Sequence, residues 1–326
     1  MPGWGDCGGN GAVLESRMFF SVFAEICLPI FVLAGWGWVL DQRFRLDLKT
    51  LVKLNINLVV PAFIFVQVVE SRLDGSMALR VAGFTLAVMA GMFVGAELLG
   101  RITGAAAAER RSMQLATMFY NSGNYGLPLM ALAYPGLGPV LQVFVLLTQN
   151  VATFTVGLFI ASSGKGHVGW RAWLPVLRQW TVWAVVLAFL VRGFDIPVRE
   201  WTWAWQPLRY LSQAMVGVAL VTLGIQLSQT DHAALFRKIR PALVLRLVGG
   251  PVLGFGLVRL FGFEGESAAI LILGAGVPTA VNIALLAHEF EADHPYLAAA
   301  VFYATLISMG TITATATLLR LFGPGV

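Results

Sequence analysis

The sequence Asn121-Ser122-Gly123-Asn124-Tyr125-Gly126-Leu127-Pro128 decides the fold. It lies inside a run, residues 112–164, that contains no Asp, Glu, Lys or Arg. A membrane crossing takes about 20 residues, so this run predicts two spans joined by a turn near residues 134–139. Glycine and proline disfavour a helix interior by about 1 and 3 kcal/mol, so the first of these spans should be broken at the quoted sequence.

The composition is typical of an integral membrane protein. Of 326 residues, 58% are hydrophobic and 12% are charged, and the mean hydropathy is +0.77. Soluble domains carry about a quarter charged residues, so a soluble enzyme is nearly excluded. The two cysteines, Cys7 and Cys27, exclude a disulfide framework, and four histidines leave little material for a metal centre. The net charge of +5 indicates basic cytoplasmic loops rather than nucleic-acid binding, and we expect no cofactor.

The apolar stretches predict ten membrane spans. They lie near residues 18–40, 52–70, 77–100, 112–133, 139–161, 174–192, 208–228, 241–262, 267–288 and 296–320. Residues 1–17 form an N-terminal tail rather than a cleaved signal peptide, because no basic start precedes an apolar stretch. Residues 164–173 form a short linker between two halves, 18–163 and 174–326.

Basic residues set the predicted orientation. Loops after odd-numbered spans hold more Lys and Arg than loops after even-numbered spans. Since cytoplasmic loops carry the excess of basic residues, the linker should be cytoplasmic and both termini extracytoplasmic. We expect a multi-pass protein of the cytoplasmic (inner) membrane, in contact with the lipid bilayer.

A second unusual segment, in the ninth span, reads Gly274-Ala275-Gly276-Val277-Pro278-Thr279-Ala280-Val281-Asn282. It occupies the same place in the second half as residues 121–128 occupy in the first. Two halves of five spans must run in opposite orientations, so the sequence predicts two five-helix inverted repeats, as in secondary transporters. A proline kink would explain either segment alone, whereas the matched pair favours broken helices in spans four and nine.

The two broken helices predict an anion site. Pro128 and Pro278 suit the first turn of the half-helix after each break, where exposed N–H groups carry partial positive charge. Two such N-termini meeting at the membrane midplane would bind an anion without a basic side chain. Further hydrogen bonds can come from Asn121, Ser122, Asn124, Thr279 and Asn282. A carboxylate on a small organic molecule fits such a site.

These residues resemble a known family. The sequence at 121–128 is similar to the fourth-span signature of auxin efflux carriers, which include plant PIN carriers and bacterial malate and malonate permeases. The segments at 277–282 and 301–308 agree with that family. Asn55 and Pro61 in the second span, and Gln149 with Asn150 in the fifth, fit it as well. The resemblance covers essentially the whole chain.

The resemblance implies an all-α fold of ten spans, with broken helices crossing in spans four and nine, related to bile acid:sodium symporters. It also implies that an organic anion is carried by an elevator-like movement. With the residue patterns above, the predicted substrate-binding residues are Asn121, Ser122, Gly123, Asn124, Tyr125, Pro128, Gln149, Asn150, Gly276, Pro278, Thr279 and Asn282.

Two charged residues inside spans are candidates for ion coupling or anion pairing. Glu25 could carry a proton, or it could lie in headgroup water. Arg246 could pair with the substrate carboxylate, or it could extend its charge toward the membrane surface. The loop at residues 288–294 has two histidines and three acidic residues, and it predicts a solvated loop rather than a metal site.

The leading hypothesis is a secondary carrier for a small organic anion, not an enzyme. A sodium-coupled symporter of the bile-acid type stays open, although sodium sites usually include an acidic residue that both segments lack. A proton as coupling ion and a homodimer stay open too. A channel would not need paired broken helices. An intramembrane enzyme would need a nucleophile with a base, or a metal dyad, at depth, and all four histidines fall in predicted loops.

Overall fold

The computed structural model describes residues 19–70, 75–157, 160, 180–229, 236–281, 283 and 293–321. These residues are helical apart from short connections. Among them there is no strand, only an isolated antiparallel bridge between Tyr120 and Thr279. The all-α expectation therefore holds for the described part of the chain. The predicted tail, the linker at 164–173 and Asn282 lie outside the described residues.

The described helices overlap the predicted spans, and the count of ten spans stays a prediction. In chain order they are α1 (Phe19–Phe44), α2 (Leu48–Glu70), α3 (Gly75–Ile102), α4 (Ala107–Met118), α5 (Leu127–Ala133), α6 (Leu137–Ala152), α7 (Trp180–Gly193), α8 (Thr202–Ser228), α9 (Phe236–Leu260), α10 (Gly265–Ala275) and α11 (His294–Leu321). By length and composition, α1, α2, α3, α8, α9 and α11 can each cross a membrane. The apolar helices α6, α7 and α10 are shorter.

Local sequence sets where these helices begin and end. Asp47 precedes α2, and its carboxylate accepts hydrogen bonds from the amide of Lys49 (3.2 Å) and the hydroxyl of Thr50 (2.5 Å). Aspartate is favoured before a helix for this reason, since the first amide groups lack partners within the helix. The turn between α5 and α6 contains Gly136 at a φ of 106°, which residues with side chains rarely adopt. This turn lies where the sequence predicts it.

Several helices contain or adjoin a π turn, a locally widened turn with one extra residue. Such turns occupy Phe23–Cys27 in α1, Asn55–Val59 in α2 and Leu245–Gly249 in α9. Two more lie at Ser122–Gly126, before α5, and at Thr153–Gly157, after α6. Widened turns are frequent at functional sites, and the turns at 122–126 and 153–157 contribute to the site described below.

The helices pack as two groups. In the first group, α8 packs on α1 and α2, and α7 packs on α2. In the second group, α3 packs on α4, α6 and α9, while α9 also packs on α10 and α11. The short helix α5 packs on α6 and touches α1 and α8 of the first group. The boundary between the groups therefore passes beside α5 and the π turn that precedes it.

The first group contains a close helix crossing built on two glycines. A Cβ atom on Gly224 of α8 would overlap the carbonyl oxygen of Ala34 in α1. A Cβ atom on Gly37 of α1 would overlap the carbonyl oxygen of Val221 in α8. Small residues allow membrane helices to approach this closely, where dispersion contacts rather than the hydrophobic effect drive packing. The α1–α8 contact is therefore the fixed seam of the first group.

We expect Gly224→Ala to destabilise the protein, because the added methyl group would push α8 away from α1. Overpacking of this kind costs about 1–3 kcal/mol. Gly217→Ala is the matched control on the same helix, because no atom of the described residues lies within 4 Å of a Cβ atom there. Unfolding of the purified variants in detergent measures both effects. Equal stability of the two variants would contradict the close crossing.

Candidate substrate site where two non-helical segments meet

Two non-helical segments meet between α4 and α10. After α4 the backbone is extended at Phe119 and then enters the π turn, and after α10 residues 277–280 are not helical. The amide of Asn121 donates to the carbonyl of Pro278 (2.8 Å), and the amide of Ala280 donates to the carbonyl of Phe119 (3.0 Å). Unpaired backbone groups are costly away from water, so this mutual pairing is what makes the two interruptions tolerable.

A cavity of about 230 Å³ adjoins this meeting point. Its lining consists of Ile56, Val60, Tyr120, Asn121, Ser122, Gly123, Asn124, Leu146, Gln149, Asn150, Thr153, Thr181, Ala280 and Val281. Every one of these residues is uncharged. Sites for drug-sized ligands start at about 300 Å³, so this space suits a smaller molecule.

Two buried amide groups in the lining have donors without a hydrogen-bond partner among the described residues. These are Nδ2 of Asn121 and Nε2 of Gln149, whose residues are 7% and 3% exposed. The Gln149 side chain is oriented by its other end, since its Oε1 accepts from the amide of Tyr120 (3.4 Å). The first amide groups of a helix also lack acceptors within the helix, and Gly123 and Asn124 lie at that position. The lining therefore offers hydrogen-bond donors to a ligand.

Two further side chains hold the site in shape. Nε2 of Gln142 in α6 donates to the carbonyl of Ser122 (3.0 Å) and so ties the π turn at Ser122–Gly126 to α6. Nδ2 of Asn55 in α2 donates to Oδ1 of Asn124 (3.0 Å), which links the two helix groups. The sequence reasoning missed Gln142. The sequence feature that could have indicated Gln142 is a long polar side chain inside a charge-free apolar span, where a polar group needs a hydrogen-bond partner.

The predicted site residues divide between the cavity and its support. Those lining the cavity are Asn121, Ser122, Gly123, Asn124, Gln149 and Asn150. Those buried behind it are Tyr125, Pro128, Gly276, Pro278 and Thr279. Pro128 lies in the first turn of α5, as predicted, whereas the same prediction is wrong for Pro278, which lies in the non-helical segment 277–280. Tyr120, Ile56, Val60, Thr153 and Thr181 are lining residues that the sequence reasoning did not name.

Thr279 illustrates the supporting role. Its hydroxyl donates to the carbonyl of Ala116 in the last turn of α4 (2.8 Å), and the residue is 1% exposed. Gly276 is equally enclosed, because a Cβ atom there would lie 2.9 Å from the ring of Pro251. These contacts brace one non-helical segment against the neighbouring helices.

The two charged candidates lie in different environments. Glu25 accepts a hydrogen bond from Ser21 (2.7 Å) and pairs with Arg320 (3.4 Å), and its side chain is 60% exposed. Glu25 therefore lies at the protein surface, and both roles predicted for it stay predictions. Arg246 is fully buried and bonds to the carbonyl oxygens of Thr117 and Ala275. Neither residue lines the cavity.

The sequence model of the family described as "Membrane transport protein" matches residues 22–315. The chain belongs to this family. The match confirms the resemblance to auxin efflux carriers over nearly the whole chain, and together with the apolar helices it makes the protein a multi-pass membrane transporter.

Individual relatives agree. An "Uncharacterized transporter" of Methanothermobacter thermautotrophicus is 25% identical over 304 residues, which cover 90% of this chain and 97% of the relative. A "Putative malonate transporter" of Rhizobium meliloti is 26% identical over 315 residues, which cover 90% of this chain and 95% of the relative. The family and these relatives are named as transporters, so the protein is a transporter rather than an enzyme, as predicted.

Thr279→Val separates a supporting role from direct substrate contact. Losing the hydrogen bond to Ala116 should lower the free energy of unfolding by about 0.5–1.5 kcal/mol. Because the hydroxyl faces away from the cavity lining, ligand affinity should change little. Thr279→Ser, which keeps the hydroxyl, is the matched control. A variant of unchanged stability that binds ligand more than tenfold weaker would place Thr279 in contact with the substrate instead.

Proposed function

We propose that the protein is a secondary carrier for a small organic anion, with a dicarboxylate of malonate size as the first candidate. The observation that carries this proposal is an uncharged cavity with two buried, unpaired amide donors, Asn121 Nδ2 and Gln149 Nε2. A carboxylate accepts hydrogen bonds only, and so complements such a lining. The choice of malonate rests on the name of one relative.

The backbone adds to the attraction. The π turn at Ser122–Gly126 and the following helix α5 begin at the cavity, where partial positive charge from the aligned peptide groups is greatest. Anions bind at helix N-termini for this reason. Low-dielectric surroundings strengthen hydrogen bonds to a charged group, so a dicarboxylate can be held without a basic side chain in the lining.

The position of the cavity supports an elevator-type alternating-access mechanism. Ile56, Val60 and Thr181 come from α2 and α7 of the first helix group, while the other lining residues belong to the second. A ligand there would lie on the boundary between the groups. Sliding of the second group along the first would then carry the anion and its donors together across the membrane.

The proposal extends to the whole topology. Ten spans in two inverted five-helix repeats, 18–163 and 174–326, would place the two non-helical segments at matching depths in spans four and nine. The protein would lie in the inner membrane, with both termini extracytoplasmic. A homodimer would leave this arrangement unchanged.

Two alternatives make different predictions. A sodium-coupled symporter needs oxygen ligands for the ion, and the described lining offers no carboxylate. Proton coupling through Glu25 would require a path from an exposed residue that does not line the cavity. A channel would conduct without saturation, whereas a carrier in liposomes should show saturation and substrate-driven counterflow.

We expect malonate to raise the unfolding temperature of the purified protein, because a ligand that binds only the folded state stabilises it by mass action. Asn121→Ala and Gln149→Ala should each weaken binding by roughly ten- to a hundredfold, the usual loss for one hydrogen bond to a charged group. Asn57→Ala is the matched control, because Asn57 is exposed on α2, does not line the cavity, and donates to the carbonyl of Lys53 in its own helix. Isothermal titration calorimetry measures the affinities.

Two results would overturn the proposed site. One is folded Asn121→Ala and Gln149→Ala variants that bind the anion as tightly as the parent. The other is an equal loss of affinity in Asn57→Ala. If malonate fails but another mono- or dicarboxylate binds with the expected variant pattern, the site stands and the substrate changes.

The orientation can be measured separately. A reporter that is active only in the cytoplasm, fused after Val326, should be silent, because the excess of basic residues places the opposite loops in the cytoplasm. The same reporter fused within residues 164–173 should be active. Activity at both positions would overturn the proposed span count.

A further inference from the structure

Arg246 is the largest side chain among the fully buried residues of the described chain. It lies in the π turn Leu245–Gly249 of α9. Its Nη1 donates to the carbonyl of Thr117 (2.6 Å), and its Nη2 donates to the carbonyl of Ala275. Its guanidinium carbon stands 4.8 Å from the ring centre of Tyr120. A buried charge is costly unless it is compensated, so these contacts must supply what a carboxylate usually does.

The two carbonyl groups lie at equivalent places. Thr117 is in the last turn of α4, and Ala275 is the last residue of α10. The last carbonyl groups of a helix lack intrahelical donors, and each helix C-terminus carries about half a negative charge. The planar guanidinium has donors pointing in two directions, which lets one side chain bond to both ends at once.

Helix ends, rather than acidic side chains, are therefore the counter-charge of Arg246. The described ion pairs include no partner for it, and the two half-charges together match its single positive charge. Gly250 keeps the space open, because a Cβ atom there would overlap both the Ala275 carbonyl oxygen and the Arg246 guanidinium.

We infer that Arg246 is a built-in cation that neutralises the two helix C-termini behind the anion cavity, and so takes the place of a bound monovalent cation. In transporters with interrupted helices, freed carbonyl groups and helix C-termini are where Na⁺ binds. Here the guanidinium of Arg246 donates hydrogen bonds to carbonyl groups of this kind. Tyr120 separates the two charges, since it lines the cavity and also stacks on Arg246.

This arrangement has a consequence for anion binding. Without a cation, the negative ends of α4 and α10 would face a bound anion across the Tyr120 backbone. With Arg246 in place, the negative helix ends are neutralised and do not repel the anion that the cavity donors bind. Arg246 is thus a positioning residue that acts through the two non-helical segments after α4 and α10. Anion affinity should therefore not require Na⁺. The affinity part of this inference rests on the proposed function, whereas the stability part does not.

The first experiment uses the unaltered protein. Its unfolding temperature, and its malonate affinity, should be the same in sodium, potassium and N-methylglucamine chloride at equal ionic strength. A sodium-specific increase in either quantity would overturn the inference, because it would reveal a separate cation site that Arg246 does not fill.

The second experiment removes the guanidinium side chain at position 246. Arg246→Ala should bind malonate roughly ten- to a hundredfold more weakly in N-methylglucamine chloride, the loss expected for removing charge-assisted hydrogen bonds. Guanidinium at a low, non-denaturing concentration should restore both the affinity and the unfolding temperature. Urea has a similar planar shape without the charge, and it should restore neither.

Two more variants keep the test decisive. Arg246→Lys retains the charge and should fold, binding malonate more tightly than Arg246→Ala does. Arg80→Ala is the matched control, because Arg80 also donates to two backbone carbonyls, of Phe261 and Gly262, at the end of α9 but on an exposed surface. Its affinity should stay unchanged, with or without guanidinium.

The outcomes divide clearly. Guanidinium rescue of Arg246→Ala, without rescue by urea, supports the built-in cation. Equal rescue by urea, or a folded Arg246→Ala variant with parental affinity, overturns it. If Arg246→Ala does not fold, the Arg246→Lys variant decides. A folded Arg246→Lys variant whose malonate affinity is independent of sodium, like that of the parent, supports the inference. A folded Arg246→Lys variant whose affinity depends on sodium, or that binds no anion, overturns it. If no carboxylate binds the parent, the proposed function fails, while guanidinium stabilisation of Arg246→Ala still tests the cation.

Discussion

A membrane interior offers no water to a broken backbone, and the middle of this protein is organised by that constraint. Where α4 and α10 stop, some freed groups pair with each other across the crossing, through Asn121 with Pro278 and Ala280 with Phe119. The carbonyl groups of Thr117 and Ala275 accept hydrogen bonds from the guanidinium of Arg246, and the side-chain amides of Asn121 and Gln149 line the cavity. In the proposed function, the anion binds in the cavity beside this interruption.

Much of this was predictable from the sequence. Gly, Pro and Asn clustered in an apolar run predict an interruption, and the backbone is extended at Phe119, just before this cluster. The cavity includes Asn121, Asn124 and Gln149 from the predicted set. The roles of Thr279 and Arg246 were not predictable, because each bonds to a main-chain carbonyl far away in the sequence, at Ala116 and at Thr117 and Ala275. Every residue has the same main-chain carbonyl group, so a pattern of side chains cannot predict which carbonyl groups will be hydrogen-bond partners.

The two helix groups differ in how firmly they are joined. Within the first group, Gly37 and Gly224 bring the backbones of α1 and α8 into contact, which leaves no room for sliding. Between the groups, the cavity removes contact area, and the Asn55–Asn124 hydrogen bond crosses beside it. Side-chain contacts of α11 with α1, through Thr313 with Cys27 and Arg320 with Glu25, also join the groups, whereas the glycine seam brings main chain against main chain.

The π turns have a consequence for how the sequence should be read. One residue rotates an α-helix by about 100°, so the extra residue at Asn55–Val59 shifts the angular register of everything after it in α2. A helical wheel drawn through the whole of α2 with a uniform period therefore assigns residues after Val59 to the wrong face. The same break in phase occurs in α9 after Gly249. In these two spans the sequence consists of two shorter patterns that are out of phase with each other, and a pattern search with a single period will underestimate both.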